Sequence, residues 1–130
     1  MKFLLFVAAC LICSSVPAFA NSTGNEVLTR CQEAVASADN NEGLPTNDIY
    51  AGWCAGWVQA AIELTGLNEG WHEFTGAKNG LMDFCTPEGV TTAQGIRIVV
   101  KYLRDHPEHL NEDGMALTVA SLRAAFPCKK

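Results

Sequence analysis

Hydrophobic positions recur at helical spacing along most of the chain, and no stretch shows the strict alternation of a strand. The clearest case is Ile96, Val99, Val100 and Leu103, an i, i+3, i+4, i+7 stripe. Lys101 and Arg104 fall on the other side, near the end where cations are favoured, so the segment describes an amphipathic helix with one buried face. Thr91 and Gln94 precede it as a T-x-x-Q capping box, which satisfies backbone N–H groups left open at a helix start. Pro107 stops it, because the residue before a proline is disfavoured in the helical region. Further on, Asn111 is expected to cap another helix, with Glu112 and Asp113 in its first turn. Leu117, Ala120, Leu122, Ala124 and Phe126 carry that helix to Pro127-Cys128.

Two more helices lie upstream. The first is predicted over residues 26–38, capped by Asn25, with Val27, Cys31 and Val35 at i, i+4, i+8. The second is predicted from Asp48 to Gly66, a suitable residue just past a helix end. Its apolar face is Ile49, Trp53, Trp57, Ala60 and Leu64, with the two tryptophans expected in the core or at a subunit contact. Gly52, Gly56 and Ala60 also recur every four residues. Each glycine costs about 1 kcal/mol against alanine in a helix interior. Close approach of another helix, within or between subunits, is the compensating gain expected. Residues 67–90 read as a long irregular connection, rich in glycine yet carrying Trp71, His72, Phe74, Met82 and Phe84. The fold class expected is all-α: a small four-helix domain of two helical hairpins.

The first twenty residues have another pattern. Lys2 is followed by an apolar run to Cys13 and by Ala18-Phe19-Ala20, the charged, hydrophobic and small-residue parts of an export signal. The run is too short to span a bilayer, which takes about 20 residues. Val7-Ala8-Ala9-Cys10 only loosely matches a lipoprotein box, and the apolar run continues past it. Residues 1–20 are therefore expected to be a signal peptide cleaved after Ala20, and residues 21–130 one periplasmic domain.

Charge and cysteines then narrow the function. Losing Lys2 leaves eight basic residues against fourteen acidic ones, a formal charge of −6. That balance excludes a nucleic-acid partner, whose phosphates demand a basic footprint. Cys31, Cys54, Cys85 and Cys128 remain after cleavage, and an even count in an exported chain predicts two disulfides. Zinc would need closer ligand spacing than these cysteines have. Three pairings are open by spacing. Antiparallel neighbouring helices would favour Cys31 with Cys54 and Cys85 with Cys128.

No residue set points to catalysis. Ser22, Ser37 and Ser121 lack a nucleophile elbow. The pairs Glu69/Glu73 and Glu112/Asp113 are explained by solvation and by helix-end charge. His106 and His109 flank a proline turn that offers no rigid face for a metal. No catalytic residue, metal or cofactor is expected, and the chain is not read as an enzyme. The candidate partner-binding segment is instead Asn68, Glu69, Trp71, His72, Glu73 and Phe74. There an aromatic anchor has an acidic rim, the composition of a binding protrusion. Trp71 and Phe74 folding back against the bundle is the competing expectation.

Several motifs occur together in one order. They are Tyr50-Ala51-Gly52-Trp53-Cys54-Ala55-Gly56-Trp57-Val58, then Phe84-Cys85-Thr86-Pro87-Glu88-Gly89-Val90-Thr91, then Val99-Val100-Lys101-Tyr102-Leu103. His106-Pro107-Glu108-His109-Leu110 and Phe126-Pro127-Cys128 complete the set. This set, running from Tyr50 to Cys128, resembles the Rap/Tai family of immunity proteins. The resemblance implies a helical periplasmic protein, often a homodimer. It implies that the protein binds a peptidoglycan amidase effector delivered by a type VI secretion system and blocks its cleft. The chain departs from the pattern at Asn111, where a histidine is common, and at Gly114, where a small helix former is usual. A periplasmic stress chaperone of the HdeA type, without a cognate toxin, is the alternative. Its three histidines and fourteen carboxylates would make it acid-responsive.

Overall fold

The computed structural model describes residues 22–39, 49–75 and 84–128, with the backbone alone described for 66–75. The expected export signal, and the connections 40–48 and 76–83, lie outside these residues. Among the described residues four helices form: α1 Gly24–Asp39, α2 Ile49–Thr75, α3 Thr92–Asp105 and α4 Gly114–Ala125. A single 3-10 turn, Pro107–His109, joins the last two. No strand occurs among the described residues, and the one isolated bridge pairs Thr23 with Asp113. Every pair of helices is in contact, so the two hairpins close on each other around one core.

The helix starts show local chemistry at work. Thr91 accepts from the Gln94 N–H at 3.2 Å, as its capping role requires. At α1 the cap is Thr23, not Asn25. The Glu26 N–H donates to the Thr23 hydroxyl at 3.5 Å and the Thr23 N–H donates to the Glu26 carboxylate at 3.1 Å, a reciprocal box. Asn25 is thereby released to donate to the Leu110 carbonyl at 3.1 Å and to the Asn111 side chain at 3.2 Å. Asn111 is consequently not the cap of α4. Asp113 takes that role, accepting from the Ala116 N–H at 2.9 Å.

The core collects Val27 and Cys31 from α1, Cys54 and Val58 from α2, Ile96, Val99 and Leu103 from α3, and Leu117 and Leu122 from α4. Phe84 joins it from the segment before α3. The disulfides are Cys31–Cys54 and Cys85–Cys128. Phe84-Cys85 is also fixed by the Cys85 N–H donating to the Phe126 carbonyl at 2.9 Å. Gly89, at φ 82°, supplies the left-handed residue of the turn between Pro87 and Val90.

Helix α2 differs from expectation in length and in rotation. It continues past Gly66 and Gly70 to Thr75, so the segment read as a loop from residue 67 begins as helix. No proline lies between 49 and 75, and each helical residue added brings a backbone hydrogen bond that offsets the glycine cost. The buried face is Ala51, Cys54, Val58 and Ala61, not the face of Ile49 and Ala60. The cause is covalent. Cys54 must point at Cys31 on α1, which turns Ile49, Gly52, Gly56 and Ala60 outward. At Gly52 and Gly56 an added Cβ would meet nothing within 4 Å, so neither glycine serves close packing inside this subunit.

Candidate partner-binding surfaces

The Cys31–Cys54 bridge joins neighbours as well as cysteines. Arg30 precedes one half-cystine and Trp53 the other, so the bridge delivers a cation onto an indole. The Arg30 guanidinium carbon lies 4.4 Å from the Trp53 ring centre and 6.0 Å from that of Tyr50. Trp53 stacks on Trp57 at 4.7 Å between ring centres. Trp57 is held in turn by its indole N–H, which donates at 2.9 Å to the buried Thr118 hydroxyl of α4. Three helices therefore fix a Trp57–Trp53–Arg30 stack. It borders a cleft of about 350 Å³ lined by Asn25, Glu26, Thr29, Arg30, Glu33 and Tyr50. Sequence reasoning missed Arg30, although its position next to Cys31 was the available signal.

The sequence-predicted segment lies at the far end of the same helix. Asn68, Glu69, Trp71, His72, Glu73 and Phe74 all have helical backbone, in the last turns of α2. Asn68 and His72 are thus one helical turn apart along the backbone, as are Glu69 and Glu73.

The histidines after α3 are engaged locally. His106 bonds through Nδ1 to the Tyr102 carbonyl at 2.8 Å and stacks on the Tyr102 ring at 4.1 Å. His109 donates from Nδ1 to the Glu112 carboxylate at 2.7 Å. That hydrogen bond, helped by the charges of Glu112 and Glu108, raises the His109 pKa above its ordinary value. No group of three metal-ligating side chains occurs among the described residues.

Both departures from the Rap/Tai pattern fall where the N-terminal strap meets α4. Asn111 accepts from Asn25, and the Gly114 N–H donates to the Ser22 carbonyl at 2.6 Å. A Cβ at Gly114 would sit 2.6 Å from the Ser22 oxygen and 2.6 Å from Val27 Cγ2. Glycine is there because a main chain passes over it.

A family model described as Rap1a immunity proteins matches residues 23–128, from this strap to the last cysteine. The chain belongs to the Rap1a immunity protein family. The match takes in α1, Cys31 and Arg30, which the motifs from Tyr50 onward did not reach. No curated protein and no solved structure matches the chain. As a family, Rap1a proteins are immunity proteins, which implies that this one binds a cognate effector protein; such proteins are generally non-enzymatic. No helix among the described residues is long and apolar enough to cross a membrane.

Proposed function

We propose that this Rap1a-family protein is a periplasmic immunity protein that binds a peptidoglycan amidase effector delivered by a type VI secretion system and occludes its cleft. The family match over residues 23–128 carries this reading. Two disulfides in a small bundle suit an oxidising, exported setting and give a stiff scaffold. Stiffness matters because a pre-organised surface loses less entropy when it binds. The cleft-entering element is the end of α2, where Trp71 anchors and Glu69 and Glu73 meet basic or hydrogen-donating groups around the amidase site. The protein acts as a homodimer, and the outward face of α2 that carries Gly52 and Gly56 is where a second copy packs.

The test is protection of a bacterial host that exports a type VI peptidoglycan amidase, with the full chain or with residues 1–20 removed. Protection by the full chain alone, and its loss with Trp71→Ala while far-UV circular dichroism is retained, is the expected result. Equal binding of the amidase by Trp71→Ala would remove the end of α2 from the contact. Failure of the folded chain to bind any such amidase would overturn the assignment.

A further inference from the structure

The cleft beside the Arg30–Trp53 stack takes one wall from α1 and the other from Tyr50 of α2. Three of its polar side chains are committed within the protein. Asn25 donates to Leu110 and Asn111, Glu26 accepts the Thr23 N–H, and Thr29 donates to the Asn25 carbonyl at 2.9 Å. Arg30 and Glu33 are not. Among the described residues neither enters a hydrogen bond or an ion pair. They carry opposite charges three residues apart on one helix, a spacing that suits pairing. The Trp53 ring instead holds the guanidinium toward α2, 4.4 Å from the ring centre, and leaves its N–H edge for another carboxylate.

The cleft therefore presents a separated cation and anion within about 350 Å³. That volume lies in the range of small-ligand sites, about 300–1,000 Å³. What satisfies both charges at once is a molecule carrying a carboxylate and an ammonium at matching separation. Three residues of helix rise put Arg30 and Glu33 about 4.5 Å apart along α1, and the pull of Trp53 on the guanidinium widens the gap. A free amino acid has both charges on one carbon, too close to reach the two groups together. A dipeptide spans about 7 Å end to end, which fits.

We propose that this cleft binds a zwitterionic dipeptide, its carboxylate on the Arg30 guanidinium and its ammonium on the Glu33 carboxylate. The planar guanidinium receives the carboxylate through two parallel N–H donors, and its stack on Trp53 fixes their direction. Tyr50 walls the side facing Arg30, its ring centre 6.0 Å from the guanidinium carbon. The site goes beyond the immunity reading and is separate from it. Tyr50 lies near the start of α2, about 30 Å of helix rise from Trp71 near its end.

Titration calorimetry and tryptophan fluorescence test this on the oxidised chain lacking residues 1–20, with dialanine as the probe. Dialanine should bind saturably and change the fluorescence of the Trp53 stack. Alanine, N-acetyl-dialanine and dialanine amide should each bind about tenfold more weakly or worse. Glu33→Gln should weaken dialanine about tenfold and no longer distinguish it from its N-acetyl form. Arg30→Gln should likewise cease to distinguish dialanine from its amide. Glu33 is exposed, so Glu33→Gln keeps the test valid if Arg30→Gln disturbs the Trp53 stack. No saturable binding by the folded wild type overturns the proposal. So do blocked forms that bind as well as dialanine, or dialanine binding unchanged by Glu33→Gln. None of these results bears on effector binding, which is read with Trp71→Ala.

Discussion

Gly114→Ala should destabilise the protein, against the ordinary preference of helices. Alanine normally gains up to about 1 kcal/mol over glycine in a helix, and less in the first turn. At this position the new methyl would lie 2.6 Å from the Ser22 carbonyl oxygen, 2.6 Å from Val27 Cγ2 and 3.0 Å from the Thr23 carbonyl oxygen. Two of the three are backbone atoms, held by the Gly114 N–H itself and by the Gly24 N–H on the Glu112 carbonyl at 3.1 Å. Relieving the clash means lifting the strap. That forfeits a backbone hydrogen bond worth about 1 kcal/mol, and overpacking costs about 1–3 kcal/mol more. Offset by the helix gain, the net loss is about 1–3 kcal/mol. For a domain of this size that corresponds to a fall in Tm of about 5–15 °C. Thermal melts followed by far-UV circular dichroism, on the oxidised chain lacking residues 1–20, read this directly. A variant melting at or above the wild type would show that the strap does not press on α4, and the account of Gly114 would fail.

Other expectations follow from single contacts. Thr118→Val keeps the shape but strands the Trp57 indole N–H, which now donates to it at 2.9 Å, and should cost about 1–3 kcal/mol in urea unfolding. Losing either disulfide should cost about 3–4 kcal/mol from chain entropy, for separations of 23 and 43 residues. Cys31→Ala should be the more damaging, because Cys31 and Cys54 are fully buried whereas Cys85 and Cys128 are exposed; equal melting of the two variants would refute this. His109, raised by Glu112, contributes stability that is full below its ordinary value of 6.5 and is lost as pH rises through its folded value. Melting temperatures should therefore drop slightly from mildly acidic to neutral pH in the wild type, and His109→Gln should remove that part of the profile.

What the sequence disclosed was what neighbours in the chain decide. The α3 stripe and its Thr91 cap sit within one segment, as does the Pro107 stop, and all three appear in the fold. Spacing left three disulfide pairings open, and the one formed is the one that antiparallel neighbouring helices favour. What stayed hidden depends on distant partners. The rotation of α2 is set by Cys31, so Ile49 and Ala60 turn outward although their spacing suits a core, while Trp53 and Trp57 of the same predicted face stay packed against it. The end of α2 was hidden for another reason. Gly66 can terminate a helix or continue one, and nothing nearby decides which. Asn25 and Asn111 are both sound caps by type, yet they bond each other because the strap docks on α4. Within the candidate surface, Trp53 and Trp57 were visible as a face, whereas Arg30 became part of it only through the bridge.

The stacked indoles have a use that needs no label. Trp53 and Trp57, 4.7 Å apart and inclined by 24°, are close enough for their electronic transitions to couple. The resulting exciton signal depends steeply on their separation and angle. Trp57 is tethered to α4 and Trp53 carries Arg30 of α1, so this one optical signature gauges the mutual placement of three helices. Any ligand that shifts one of them will announce itself in the spectrum.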